Sequence, residues 1–317
     1  MRIDVHRHLG GCCPVDFVWE VIRDQELSHI AETEQDVRDQ MTFAPSEPRD
    51  FHRFLDKFKI LNEIHWTPEL IDKSIAAVCR DLIADHIEYC WMDFSINKYM
   101  DCLRGMHKRD VVRLVYDCFA RHAPGRVGLL LSLKYESPRS SQRQYSRLIE
   151  HVSDLLIGID LVGDESRFDP IFHGDILRLW RDHGKYVRAH VGEYGPSDNI
   201  KVAIDSGVTN IAHGLAAEYD QDLLSRLARS NVSVDLGLTS NLLTGVRTFD
   251  NHPLRMMIDA GVRLTIGTDD PVICNTNLDL EYRLAGELGA TDGEIEQMML
   301  NATQLICTSS RIYSGLQ

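Results

Sequence analysis

Ile3-Asp4-Val5-His6-Arg7-His8 opens the chain with two histidines, two residues apart, at the end of a short apolar run. Side chains alternate across the pleat of a strand, so this spacing sets both imidazoles on one face, within reach of a single ion. Three further patches close runs of the same kind: His190-Val191-Gly192-Glu193, His213-Gly214 and Asp269-Asp270. Together the four spell one mononuclear metal site, provided the runs that carry them lie side by side.

The remaining sequence supplies that arrangement. Strand-like runs fall at Ile3–His8, Ile87–Phe94, Val127–Leu133, Leu155–Leu161, Lys185–His190, Thr209–His213, Val232–Leu236 and Arg263–Gly267, each short, apolar and bounded by polar residues or glycine. Amphipathic segments such as Asp110–His122, Ile171–His183, Asp220–Ser230 and Asn277–Leu288 lie between them. This is the alternation of parallel strands joined by crossover helices, and at eight strands it closes into a (β/α)8 TIM barrel of the α/β class. At 317 residues the chain is long for one domain but suits one such barrel, so 1–317 is expected to be a single domain. On that frame His6 and His8 end strand one, His190 ends strand five, His213 ends strand six and the two aspartates follow strand eight. All project from the C-terminal face, where barrel enzymes keep their sites.

Residues 14–86 separate the first two strands by far more than a loop and one helix, and predict a helical insertion. Val15–Asp24, Arg49–Asn62 and Pro68–Asp85 carry helical periodicity, with Phe51, Phe54, Leu55 and Phe58 on one stripe. Two readings stand: a helix packed on the barrel, or a lid over the strand ends that brings Phe54 and Phe58 to the substrate.

Composition narrows the function classes. A formal charge of −14 disfavours a nucleic-acid partner, whose binding draws on many phosphate contacts. No stretch approaches the ~20 apolar residues of a membrane helix, and no basic, apolar leader precedes His6, so the chain is expected to be soluble and cytoplasmic, with no membrane partner. Its eight cysteines include no Cys-x-x-Cys pair and are expected to be reduced, with Cys12 and Cys13 as small apolar fillers near the rim. Three imidazoles and a carboxylate, read as Asp269, suit one Zn²⁺ per chain. A binuclear site would want a bridging group such as a carboxylated lysine ending strand four, where this chain has Gly158-Ile159-Asp160-Leu161.

His6-Arg7-His8-Leu9, Gly158-Ile159-Asp160-Leu161-Val162-Gly163-Asp164-Glu165, His190-Val191-Gly192-Glu193, Ile211-Ala212-His213-Gly214, Thr239-Ser240-Asn241 and Thr268-Asp269-Asp270-Pro271 resemble, in order, the motifs of the adenosine deaminase branch of the metal-dependent amidohydrolases. The resemblance spans nearly the whole chain. It implies a zinc-dependent hydrolase that converts a 6-aminopurine, as nucleoside or nucleotide, to the 6-oxo compound and ammonia. It also implies His6, His8, His190 and Asp269 as zinc ligands, Glu193 as the acid at purine N1, His213 as the group that orients and deprotonates the attacking water, Asp270 at N7, and the Gly163 N–H at N3. With these go His8, Phe54 and Phe58 as substrate contacts. The chemistry agrees: a neutral purine accepts hydroxide poorly unless N1 is protonated, and burial among carboxylates would keep Glu193 in its acid form.

Two departures concern the substrate. Family members acting on free nucleosides usually carry an acidic residue after His-x-His-Leu, which holds the ribose 5′-hydroxyl; here Gly10 and Gly11 follow. Gly10 serves either a tight turn needing φ > 0 or a pocket opened for another 5′ substituent, with Arg7, Lys57, Lys59 and Lys134 as candidates to meet a phosphate. Strand two reads Trp91-Met92-Asp93-Phe94-Ser95 where the family usually shows an acid and an arginine. Deamination of another aminated heterocycle, and a non-catalytic nucleoside-binding relative, are the alternatives the sequence leaves open.

Overall fold

In a computed structural model, which describes residues 1–312, eight parallel strands form one sheet in sequence order: β1 Ile3–His8, β2 Tyr89–Phe94, β3 Val127–Lys134, β4 Gly158–Val162, β5 Tyr186–Val191, β6 Asn210–His213, β7 Ser233–Leu236 and β8 Leu264–Ile266. Each expected strand is present. The sheet closes through Asp269, whose N–H donates to His6 O at 2.8 Å and whose carbonyl accepts from His8 N at 3.0 Å. Helices cover the outside, several with the local start signals that define them. Thr67 and Asp169 cap helices Pro68–Ala84 and Pro170–Asp182, each with proline at the first turn, and Asp220 and Asn277 cap Gln221–Arg229 and Leu278–Glu287.

The expected strict alternation in β1 is interrupted. Ile3 pairs with Tyr89 and Asp4 with Cys90, but Arg7 pairs with Met92, so Val5 and His6 together oppose Trp91. The bulge changes parity. Ile3 and Val5 join Trp91, Leu130, Ile157 and Tyr186 in the barrel floor, plugged by Ala302 and Leu305 of helix Asp292–Ile312. Beyond the bulge His6 and His8 turn to the rim with their rings 5.3 Å apart.

Between β1 and β2 the chain forms helices Val15–Asp24, Glu34–Met41, Phe51–Asp56 and Pro68–Ala84 and a 3₁₀ turn at Lys59–Asn62. The single helix expected over Arg49–Asn62 is thus two short pieces. Lys57, at the break, is buried and donates to Glu47 and to the carbonyls of Asp39 and Thr42. Helix Glu34–Met41 went unanticipated, although Thr33 and Asp36 form a capping box visible in the sequence. Among the described residues no helix is long and apolar enough to cross a membrane. None of the eight cysteines is disulfide-bonded.

One ionic group fills the middle of the barrel. Arg188 of β5, fully buried, donates to Asp160 of β4 at 2.9 Å, Asp235 of β7 at 3.3 Å, Val5 O of β1 at 2.6 Å and Asp93 of β2. Replacing it by an apolar residue of like length, Arg188→Met, strands three buried carboxylates. The expected loss is on the order of 3–5 kcal/mol in denaturant unfolding, far beyond that of a surface arginine such as Arg109→Met.

Candidate metal centre and active site

The ends of β1, β5 and β6 and the turn after β8 bring four imidazoles and a carboxylate together. His6 Nε2 lies 3.2 Å from His190 Nε2 and 3.4 Å from Asp269 Oδ1, and His8 Nε2 lies 3.2 Å from that same oxygen. Ligand atoms at zinc-like bond lengths around a tetrahedral ion stand about 3.3 Å apart, so these spacings fit one small cation. The protonation tendencies of the imidazoles differ: burial lowers His6 well below the ordinary imidazole range. Burial opposes a proton on His8, yet Asp269, Asp270 and Asp93 push its pKa to about 10. Burial lifts Asp269, but His6, His8 and His213 outweigh that and hold it well below the ordinary carboxylate range.

His213 stands slightly apart. Its Nε2 is 3.8 Å from Asp269 and 3.9 Å from Glu193; the donor atoms of His6, His190, His213 and Asp269 all lie within 4.8 Å of one another, as do those of His8, Asp269 and Asp270. Burial lowers the His213 pKa to about 3, so the imidazole is neutral. Both His213 and Asp269 sit at positive φ, +67° and +60°, an uncommon conformation that re-aims the side chain where a strand ends.

Neighbouring strands orient these groups. Asp160 Oδ1 of β4 pairs with His190 Nδ1 at 3.2 Å while its other oxygen takes Arg188, a carboxylate behind a ligand histidine. Asn241, after β7, meets His213 Nδ1 at 2.9 Å and is itself held by His252 at 3.3 Å. Nothing in the residue pattern marks these supports chemically, for each depends on which strands are adjacent. Asp160 and Asn241 nonetheless lie inside the motifs quoted above.

Glu193 and Asp270 also face the centre. Burial raises Glu193 well above its ordinary value, with Asp269, Glu165 and Asp270 adding to it. Burial and Asp269 do the same to Asp270, whose Oδ1 is buried without a hydrogen-bond partner. Gly192, at φ +69°, makes the turn that lets one short segment present both His190 and Glu193.

A cavity of about 470 Å³ opens from this centre, lined by His8, Gly163, His190, Glu193, His213, Asp269 and Asp270 on the barrel side and by Phe51, Phe54 and Phe58 of the insertion. Phe54 is anchored against Phe43, Ile273 and Cys274, and Phe51 meets Tyr194, 4.4 Å between ring centres, across the mouth. Gly10 lies in a turn but outside the positive-φ region, which removes the first explanation of it; a Cβ there would stand 3.4 Å from the Phe58 ring. Gly11 is the constrained glycine, since a methyl group would overlap the Asp270 carboxylate. Of the proposed phosphate contacts only Lys134 reaches the cavity, joined by Lys98, which the sequence reading missed. Arg7 points outward to Asp4, Lys57 is consumed by Glu47, and Lys59 pairs with Asp56 at the surface. Cys12 and Cys13 are buried in the core, and burial raises both thiols.

A parallel eight-stranded barrel with a histidine-aspartate metal cluster and acidic side chains at its C-terminal rim defines a metal-dependent hydrolase of the amidohydrolase type. The family model described as adenosine deaminase matches residues 2–310, and the chain belongs to that family, hydrolases acting on C–N bonds other than peptide bonds. It is 27% identical over 310 residues to an adenosine deaminase of Shewanella denitrificans, covering 96% of this chain and 93% of that one. Among solved structures it resembles Arabidopsis ADAL complexed with IMP, with a TM-score of 0.82 and 20% identity over 99% of this chain and 96% of that one. An amidohydrolase from Burkholderia ambifaria with bound Zn superposes with a TM-score of 0.82 and 19% identity, over 95% and 84% of the two chains.

Gly11→Ala tests the packing of Asp270. The added methyl forces the carboxylate aside, so the variant is expected to lose about 1–3 kcal/mol in unfolding and to lose turnover beyond that fraction, whereas Gly10→Ala stays close to the parent in both.

Proposed function

We propose that this chain is a zinc-dependent deaminase of a 6-aminopurine nucleoside or nucleotide, and that a 5′-phosphorylated substrate is preferred over the free nucleoside. The observation that carries the reading is the convergence, at one cavity, of a metal-fitting donor set, the His213 imidazole and a carboxyl that burial pushes toward its acid form. His6, His8, His190 and Asp269 would hold the ion. When bound, zinc supplies the Lewis acidity that brings water into a nucleophilic state near neutral pH.

The chain's own groups do the remainder. His213, held by Asn241, would orient the attacking water beside the metal position. Glu193 donates to N1, which opens C6 to attack by removing the electron density that resists it. Asp270, pushed toward its acid form by burial and with Oδ1 unpartnered, would donate to N7, and the Gly163 N–H would meet N3. Phe54 and Phe58 cover the ring and exclude water from the leaving amine.

Two features support the 5′ preference. Phe58 fills the space beside Gly10, where a hydroxyl-binding acid would stand. Lys98 and Lys134 line the same cavity without an ion pair among the described residues; burial and the Lys134 charge lower Lys98 to about 8, a cost that a phosphate would relieve. The IMP carried by Arabidopsis ADAL, a purine nucleotide with oxygen at C6, is in keeping with it.

Ammonia release by the zinc-loaded protein on adenine, adenosine, deoxyadenosine, AMP and a 5′-thioether adenosine tests both levels of the proposal. AMP is expected to turn over fastest, and Glu193→Gln to lose about 10²- to 10⁴-fold with zinc retained. Faster turnover of adenosine would remove the phosphate preference and leave the deaminase, while a normal Glu193→Gln rate would remove the mechanism. The donor to N1 is the protonated carboxyl, so activity holds below the raised folded pKa of Glu193 and falls as pH rises through it. Metal content separates the two histidine roles: His6→Ala and Asp269→Ala are expected to lose zinc by mass spectrometry, while His213→Ala keeps zinc and loses turnover.

A further inference from the structure

β4 runs on into Asp164-Glu165, and the Glu165 side chain crosses to the loop that follows β5. Its Oε1 accepts from Gly192 N at 2.6 Å and Asn199 Nδ2 at 2.9 Å. Its Oε2 accepts from Glu193 N at 3.1 Å and Gly195 N at 2.9 Å, with Tyr194 N at 3.4 Å beside them. The carboxylate is 2% exposed, makes no ion pair among the described residues and does not line the cavity. Nearly every acceptor position it has is spent on the backbone of residues 192–195.

That backbone has left the sheet. Beyond Val191 its N–H groups have no strand partner, and Gly192 turns them toward a common point. A carboxylate at that point satisfies them with charge-assisted bonds, each stronger than a neutral one. Asp164, next in the chain, accepts from the Tyr194 hydroxyl at 2.7 Å, so the same β4 loop grips both sides of Glu193. No other described group bonds the Glu193 N–H.

We infer that Glu165 is a positioning residue for the reaction, fixing through the backbone of residues 192–195 where the Glu193 carboxyl meets the substrate. The inference rests on the reading of Glu193 as the acid. A proton donor works over a few tenths of an ångström, so a clamp on its own N–H and its flanking residues bears on the chemical step more than on ground-state affinity. A loop staple of purely structural value would instead change stability and leave the rate of the folded enzyme alone.

The test is a double-mutant cycle on zinc-loaded protein, with Glu165→Gln, Glu193→Gln and the pair, read as kcat and KM on the best substrate of the panel. Amide exchange at residues 192–195 is followed alongside. Glu165→Gln is expected to lower kcat about 10- to 100-fold with KM within about 3-fold, to keep its zinc and to exchange faster at Gly192, Glu193 and Gly195. In the Glu193→Gln background the same change should cost less than about 3-fold, because the group it positions is gone. A normal kcat for Glu165→Gln, unchanged exchange, or the full loss recurring in the double variant overturns the inference. If Glu165→Gln fails to fold, Asn199→Ala, which frees one side of the clamp, is expected to lower kcat a few-fold with the same disappearance in the Glu193→Gln background, and an unaltered kcat there is equally fatal. A Glu193→Gln protein as active as the parent would fail the acid assignment itself, whereas a Glu193→Gln loss beside an unaffected Glu165→Gln sinks this inference alone.

Discussion

The buried guanidinium of Arg188 is the interaction on which the rest depends. It stands halfway up the barrel, between an apolar floor and a polar rim, and ties β1, β2, β4 and β7 to β5. Removing an arginine and three aspartates from water is costly, and the arrangement survives because the charges are shared among several geometric bonds. Burial raises Asp235, and its bonds to Arg188, Thr265 and Asn210 offset only part of that. Asp160 goes the other way, below the ordinary range despite burial, because Arg188 and His190 both favour its ionised form. One fully charged carboxylate therefore links the structural cluster to a metal-fitting histidine.

The rim repeats that pattern of support from the adjacent strand. Asp160 on β4 orients His190 on β5, Asn241 after β7 orients His213 on β6, and Asp269 after β8 bonds to the backbone of His6 and His8 on β1. Parallel strands make this economical, since the side chain that leaves one strand end naturally overlooks the next. It also explains how two non-glycine residues hold positive φ in the site. Asp269 is fixed on both its N–H and its carbonyl by β1, so its strain is set against two ladder bonds that close the barrel.

How much of this was legible follows from what sequence patterns encode. The eight strands were, because each is a short apolar run with clear punctuation, and the residues at their ends were, because histidines and paired acids are rare enough to stand out. The bulge in β1 left a trace that strict alternation overlooked: apolar side chains at 3 and 5 and histidines at 6 and 8 cannot share one face without a change of parity. The lysines show the opposite case. Lys57 and Lys98 look alike in sequence, yet one is buried against Glu47 and the other overlies Trp66, 4.4 Å from its ring centre, inside the cavity. Only packing distinguishes them. Asp160, Asn241 and Glu165 were similarly silent, since a supporting residue takes its meaning from a neighbour hundreds of atoms away along the chain.

The charge state of the cavity bears on what it can recognise. Four carboxyls surround the centre, and they divide: Asp269 is drawn to its ionised form by the imidazoles, while burial, with Asp269 beside them, pushes Glu193 and Asp270 toward their acid forms. Asp93, the fourth, is raised by burial even against Arg188. Burial thus biases a site with so many carboxyls toward offering hydrogen-bond donors beside its acceptors. A ring with lone pairs at N1 and N7 would meet Glu193 on one side and Asp270 on the other, whereas a ring presenting N–H groups there would face donors with donors. An overall charge of −14 is therefore compatible with the proposed recognition of an electron-rich purine: burial and mutual repulsion push Glu193 and Asp270 toward the forms that can donate to such a ring.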